Sequence, residues 1–87
     1  MVTVRLPALF AQLFPEAERV VQLAADDVDQ LMNALDARWP GMRDRLCDTS
    51  PAIRRHINVF VEGKRAKLDT PLRSGADVVI LTAVSGG

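Results

Sequence analysis

Hydrophobic and polar residues alternate at the start of the chain, which is the period-two pattern of a strand with one buried face. The apolar positions of this pattern are Val2, Val4 and Leu6. Pro7 lacks the backbone N–H that a sheet requires and ends the strand. Because successive side chains of a strand point to opposite faces, Thr3 and Arg5 are expected on the open face of the sheet.

Residues 8–15 are rich in apolar side chains but do not alternate cleanly. This pattern predicts a loop with one helical turn, whose large side chains lie under the domain: Leu9, Phe10, Leu13 and Phe14. Residues 18–23 then predict a second strand that returns beside the first. In that strand Val21 and Leu23 fall on one side and Val20 on the other.

The clearest helix follows a cluster of aspartates, which are favoured at a helix N-terminus as hydrogen-bond acceptors and as negative charges. The aspartates are Asp26, Asp27 and Asp29. Apolar residues then recur at helical spacing: Val28, Leu31, Met32, Leu35 and Trp39. Pro40 and Gly41 end the helix, and residues 42–46 are expected to add one further turn.

The second half of the chain predicts three more strands. Residues 48–51 form the loosest stretch by composition, and residues 57–61 form a strongly β-prone run after it. Glu62 and Gly63 predict a hairpin turn into a short edge strand over residues 64–68. Residues 77–84 are apolar except for Asp77 and Thr82, as expected for a strand in the middle of a sheet.

This order of elements predicts an α+β domain of the β-grasp, ubiquitin-like type. We expect a mixed sheet of four to five strands with one main helix packed across it, and the last strand placed centrally beside the first. Residues 1–83 form the predicted domain and residues 84–87 a flexible C-terminal tail.

Composition and charge narrow the function classes. The chain has 87 residues, of which eleven are basic and eleven acidic, so no overall field attracts it to nucleic acid or to an anionic membrane. No apolar run approaches the ~18 residues that span a bilayer, and the N-terminus lacks the apolar run of a signal peptide. A single cysteine cannot form an internal disulfide, and we expect a cytoplasmic protein.

The terminal diglycine is the feature that carries chemistry. At an average glycine usage of ~7%, such an ending arises by chance in roughly one chain in two hundred. Glycine has no Cβ, so an extended Gly86-Gly87, at the end of a tail that begins with Val84 and Ser85, could thread a narrow tunnel and bring the Gly87 carboxylate to another protein's active site. A frayed chain end is the alternative, and the pattern alone leaves both open.

A free carboxylate resists nucleophiles, so chemistry at Gly87 requires activation, most simply as an acyl-adenylate formed from ATP. The chain has no phosphate-binding loop for that step. We therefore expect no bound cofactor and a separate activating enzyme that uses ATP.

Most of the chain resembles the ubiquitin-like sulfur carriers related to the molybdopterin synthase small subunit and the thiamine-pathway carrier. The resemblance lies in residues 2–6, 39–40, 58–63 and 74–87. It implies that the terminal glycine is adenylated and thiocarboxylated, with a ubiquitin-activating-like adenylyl and sulfur transferase and a sulfur-acceptor synthase as partners. It also implies a protein co-substrate rather than an enzyme.

Within that family, residues 43–46, 48–51 and 54–59 are similar to the carrier of the actinobacterial thiocarboxylate-dependent route to cysteine. Molybdopterin carriers often have two prolines where this chain has Thr82 and Ala83, which disfavours that assignment. Cysteine, molybdopterin and a specialised metabolite stay open as recipients of the sulfur. A modifier that forms isopeptide bonds through Gly87 and a non-catalytic interaction module are the alternatives in other classes.

The expected strand register places Phe60, Val79 and Leu81 together on the open face, where they would form a docking patch for partner enzymes. A covering loop, or a register shifted by one residue, would remove that patch. Cys47 has no evident activating partner, and His56 has no second ligand at metal-binding spacing, so both are expected to be structural. The motifs yield no nucleophile with a base, no paired carboxylates and no metal-ligand cluster, so the chain is not expected to be a free-standing enzyme.

Overall fold

A computed structural model describes residues 1–83, which form a mixed five-stranded sheet, a separate two-stranded ladder and three helices. The predicted tail, residues 84–87, lies outside the described residues. The elements in chain order are β1 (Val2–Arg5), α1 (Leu9–Leu13), β2 (Val20–Leu23), α2 (Val28–Arg38), α3 (Met42–Leu46), β3 (Cys47–Asp48), β4 (Ala52–Ile53), β5 (Ile57–Val61), β6 (Lys64–Arg65) and β7 (Asp77–Thr82). Among the described residues, no helix has the length and apolar character to cross a membrane.

The main sheet has the strand order β2-β1-β7-β5-β6. β7 pairs parallel to β1 and antiparallel to β5, while the β1–β2 and β5–β6 pairs are antiparallel. The last strand therefore lies at the centre of the sheet beside the first, with α2 on one face. The predicted β-grasp arrangement is confirmed.

Helix α2 begins where the aspartates predict. The Asp27 carboxylate accepts a hydrogen bond from the Gln30 N–H at 2.8 Å, and the Gln30 side chain accepts one from the Asp26 N–H at 2.9 Å. The first bond satisfies a backbone donor that the helix N-terminus leaves without a partner, and the second holds the residue before the N-cap against the first turn. The helix ends at Trp39, and Gly41 then adopts φ 95°, a left-handed conformation that suits glycine, before α3 begins.

Arg43 joins α3 to α2. Its guanidinium donates to the Asp29 carboxylate at 2.7 Å, to the Asp29 carbonyl at 3.1 Å and to the Asn33 amide oxygen at 3.0 Å. The hydrogen bond to Asp29 raises the pKa of Arg43. These bonds fix the short α3 against α2, and α3 leads directly into β3.

The hydrophobic core lies between α2 and the inner face of the sheet. Its sheet residues come from alternate positions of four strands: Val2, Val4, Val21, Ile57, Val59, Val78 and Ile80. Helix α2 contributes Val28, Leu31, Met32 and Leu35. All of these side chains are buried, so the period-two and helical patterns of the sequence identify the two layers of the core correctly.

The prediction for residues 8–15 is only partly right. One helical turn forms as α1, and Phe10 is buried in the core with Phe14 packed against it. Leu9 and Leu13, however, are 46% and 39% exposed, so the expectation that they lie under the domain is wrong. The physical reason is that a helix of this length buries one side, and Leu9 and Leu13, four residues apart, share another.

The predicted loop at residues 48–51 instead belongs to a small β-hairpin, in which Asp48 ends β3, residues 49–51 form the turn and β4 follows. The Asp48 carboxylate accepts hydrogen bonds from the Ser50 and Ala52 N–H groups and from the Ser50 hydroxyl, and the Ser50 bonds lower the pKa of Asp48. Such side-chain bonds to nearby backbone stabilise turns, and the composition alone did not indicate the paired strands.

Strand β6 is shorter than predicted, and among the described residues β7 leaves out Ala83. β6 covers only Lys64–Arg65, because after Ala66 the chain turns away from the sheet, with the Lys67 N–H donating to the Thr70 hydroxyl at 2.9 Å. β7 ends at Thr82 within the described residues. The turn between β5 and β6 has positive φ at Glu62 and Gly63, which is the geometry of a tight hairpin.

The strand register can be tested on two neighbouring residues of β7. Ile80→Ala is expected to lower the free energy of unfolding by about 2–5 kcal/mol, because it leaves a cavity in the core. Leu81→Ala, which truncates an outward side chain, should cost no more than about 0.5 kcal/mol. Urea denaturation of both variants measures the difference. A larger loss for Leu81→Ala than for Ile80→Ala would show that the register is shifted by one residue.

Candidate functional site

The end of β7 fixes the point from which the C-terminal residues continue. The Ala83 N–H donates to the His56 carbonyl at 2.7 Å, which extends the pairing with the β5 segment one residue beyond β7. The four residues predicted to form the reactive tail, Val84, Ser85, Gly86 and Gly87, come next and lie outside the described residues. Their role stays a prediction, whereas the anchor from which they extend is held by the sheet on the β5 side.

The three predicted docking residues lie together on the open face of the sheet. Phe60 is the direct cross-strand partner of Val79, and Leu81 is the partner of Asn58. Phe60 and Val79 are half-buried, whereas Leu81 is 46% exposed. The register expected from the sequence is therefore right, and no described segment covers the Leu81 end of this face. Partner binding at these residues stays a prediction.

Cross-strand pairing extends this patch into a row that crosses the whole sheet. The row consists of Val20, Arg5, Val79, Phe60 and Arg65, one residue from each strand. Its two central apolar residues stand between two arginines, and Val20 is 46% exposed at its far end. We call this row together with Leu81 the docking face.

Sequence reasoning placed Arg5 on this face but left out Val20 and Arg65. The period-two pattern had put Val20 on the side opposite Val21, which was the available signal for that residue. Arg65 required the hairpin register, in which it pairs with Phe60. Its guanidinium donates to the Asn58 amide oxygen at 2.5 Å, so the charge is held near Leu81, the partner of Asn58.

The docking face combines aliphatic, aromatic and cationic groups. This composition would match an apolar partner patch with acidic groups at its rim, and contact with such a partner stays a prediction. Within residues 1–83, no cluster of three His, Cys, Asp or Glu side chains has the arrangement of a metal site.

Cys47 lies in the core and is 3% exposed. Burial raises the pKa of its thiol, while the nearby positive charge of Arg43 acts in the opposite direction with a smaller effect. The thiolate, which is the reactive form of cysteine, is therefore disfavoured in the folded protein. His56 is exposed, and its backbone carbonyl holds Ala83.

Solved structures with the same fold include carrier and modifier proteins. The chain superposes on a chain of the Amycolatopsis orientalis BexX/CysO complex with a TM-score of 0.89, 26% identity and 100% of both chains covered. It superposes on SAMP1 from Haloferax volcanii with a TM-score of 0.81, 26% identity, and coverage of 99% of this chain and 98% of that chain.

Among curated proteins, the chain is 29% identical to the sulfur carrier protein CysO of Mycobacterium tuberculosis over an alignment of 92 positions. The alignment covers 99% of this chain and 98% of the relative. These similarities and the β-grasp sheet define the class as a ubiquitin-like sulfur carrier. The model of the ThiS family matches residues 4–87, and the chain belongs to the ThiS family. The resemblance noted from the sequence is thus confirmed.

Proposed function

We propose that this protein carries sulfur as a thiocarboxylate on Gly87 and donates it to an acceptor enzyme. The observation that supports this most directly is the path of the chain. This chain belongs to the ThiS family. Its central strand β7 has Val79 and Leu81 on the docking face and leads through Ala83 to Gly86 and Gly87.

The proposed chemistry divides into two steps, both performed by a partner. An oxygen of the Gly87 carboxylate attacks the α-phosphorus of ATP, which releases pyrophosphate and forms an acyl-adenylate. A sulfur nucleophile such as hydrosulfide then attacks the acyl carbon, the C–O bond to AMP breaks, and a terminal thiocarboxylate forms with loss of a proton. In this scheme the chain is a co-substrate, and ATP is bound by the activating enzyme.

The contribution of this chain is to present its terminus. The Ala83 N–H bond to His56 ends the described pairing with β5, so the reach available to an enzyme's active site comes from residues 84–87. Glycine at the last two positions removes the Cβ atoms that would widen the chain at the reacting carbon. The docking face beside the strand would hold an enzyme while the terminus enters it.

Three recipients for the sulfur were open from the sequence, and we favour cysteine biosynthesis among them. Residues 43–46 and 54–59 are similar to the carrier of the cysteine route, and the curated relative CysO aligns over nearly the full length of both chains. An activating enzyme and a sulfur-acceptor synthase are the partners this proposal requires. The BexX/CysO complex supports the idea that a chain of this fold forms a complex with another protein.

A modifier that forms isopeptide bonds through Gly87 is the second candidate. The similarity to SAMP1, a small archaeal modifier protein from Haloferax volcanii, supports it. Both functions need an activated Gly87 carboxylate and differ in the nucleophile that attacks it, which is a sulfur in one and a lysine amine in the other.

Thiocarboxylation can be tested by intact-mass spectrometry. Incubation with the cognate activating enzyme, ATP and a sulfide source is expected to raise the mass by the difference between a sulfur and an oxygen atom. The added sulfur should react with iodoacetamide, whereas the buried thiol of Cys47 should not. A Cys47→Ala variant is therefore expected to give the same alkylated product, and a variant lacking Gly87 should stay unmodified.

Two outcomes would count against this function. An unchanged Gly87, under conditions that thiocarboxylate another ThiS-family carrier, contradicts sulfur carriage. Recovery of Gly87 joined to target lysines, without a thiocarboxylated form, favours the modifier instead.

The docking face can be tested by introducing a charge at its most exposed apolar residue. Leu81→Glu is expected to raise the KM of the activating enzyme for this protein about tenfold, which is about 1.4 kcal/mol of binding, with little change in kcat. Leu13→Glu is the matched control, because Leu13 is similarly exposed but lies on α1. Equal KM values for the two variants would show that the docking face does not contact the enzyme.

A further inference from the structure

A groove of about 510 Å³ opens beside β5, on the edge of the sheet where β6 ends. Its floor and walls are aliphatic, formed by Ile53, Ile57, Val59, Ala66 and Leu68. The last bond between β5 and the β6 segment runs from the Ala66 N–H to the Val59 carbonyl at 2.8 Å, after which the chain turns away. The groove therefore lies between the β3–β4 hairpin and the segment that follows β6. Its volume lies within the range of ~300–1,000 Å³ typical of ligand sites.

The rim of this groove is strongly positive in a chain whose total charge is zero. Four cationic residues line it, Arg54, Arg55, Arg65 and Lys67, against one carboxylate, Asp69. We call this site, with its aliphatic floor, the basic groove.

Within residues 1–83, no cation of the basic groove forms an ion pair, although Asp69 lines the groove and, beyond the hydrogen bonds from Ser50, the charge of Arg54 contributes to lowering the pKa of Asp48. The ion pairs within residues 1–83 are Arg38 with Glu18, Arg43 with Asp29, and Arg73 with Glu62, and all lie outside the groove. Arg54 donates instead to the main-chain carbonyl of Asp44 at 2.8 Å, and Arg65 to the neutral amide oxygen of Asn58. The positive charge is thus available to an external anion.

The shape and lining of the groove distinguish between classes of anionic partner. Single-stranded nucleic acids bind to platforms of aromatic side chains, and the described residues that line this groove include none. An aliphatic floor next to an edge of the sheet fits an extended peptide, which can place an apolar side chain in the floor and carboxylates on the rim. The charge and the apolar floor together therefore favour an acidic peptide over a single-stranded nucleic acid.

We propose that the basic groove binds an extended acidic polypeptide segment of a partner protein, with an aliphatic side chain in the floor and Asp or Glu residues against the rim. Because Arg65 belongs to both surfaces, the groove is continuous with the docking face. His56, which holds Ala83, follows directly after Arg54 and Arg55 in the chain. A partner bound in the groove therefore lies close to the point from which the terminus extends.

The test uses the full chain labelled with ¹⁵N and two capped hexapeptides, one alternating glutamate with leucine and the other alternating lysine with leucine. At low ionic strength the acidic peptide is expected to give saturable amide shift changes centred on the groove residues, which weaken when salt is added. The basic peptide should give none there. Absence of acidic-peptide binding, or equal binding of both peptides, would overturn the proposal.

Charge reversal identifies the site. The double variant Arg55→Glu with Lys67→Glu is expected to weaken binding of the acidic peptide about tenfold or more. The control, Arg38→Glu with Arg73→Glu, changes the net charge equally at two exposed residues outside the groove and should bind within about twofold of the unmodified chain. Equal losses of peptide affinity in both double variants would show that binding depends only on overall charge, and would contradict the basic groove as the binding site.

A ten-nucleotide oligothymidine serves as the competing probe. Tighter binding of this oligonucleotide than of the acidic peptide at the same salt concentration would contradict a peptide groove. None of these measurements involves modification of Gly87, so failure of the groove and failure of sulfur carriage give separate results.

Discussion

Strand β7 lies between β1 and β5, so hydrogen bonds hold both of its edges and its register cannot drift. Its inward residues, Val78 and Ile80, are fully buried against the core, while Val79 and Leu81 point to the open face. A shift of one residue would exchange these two sets and place the core residues in solvent. The pairing of β7 therefore holds the core, the docking face and the start of the terminal segment in one fixed relation.

The surface around this strand combines apolar and cationic groups, and we propose that other proteins recognise it. On the docking face, Phe60 and Val79 lie between Arg5 and Arg65, and the basic groove continues from Arg65 around the edge of β5. In the function proposed, one small chain must be recognised by an activating enzyme and by an acceptor. Two adjoining surfaces of different chemistry next to one terminus would allow those partners to use different contacts.

The sequence predicts those parts of the structure that periodicity determines. The alternation in β1, β5 and β7 and the helical spacing in α2 identify the core and the outward position of Leu81, while the order of the elements along the chain predicts the arrangement of the sheet. The exposure of Leu9 and Leu13 and the β3–β4 hairpin were not predictable in this way, because they depend on tertiary packing and on the bonds of Asp48 to its own turn. The basic stretches at residues 54–55 and 64–67 are visible in the sequence, but the groove between them was not predictable, because it forms only where the β3–β4 hairpin and the segment after β6 face each other in the fold.

A thiocarboxylate on Gly87 is tested most directly by isolating the protein from its native cells under conditions that preserve labile sulfur, and fragmenting the intact chain in a mass spectrometer. Sulfur carriage predicts a population in which one oxygen is replaced by sulfur and in which the replacement maps to Gly87, with Cys47 unmodified. That population should disappear when the activating enzyme is deleted. A native chain that carries only a free carboxylate, or that is joined through Gly87 to lysine side chains, would contradict sulfur carriage.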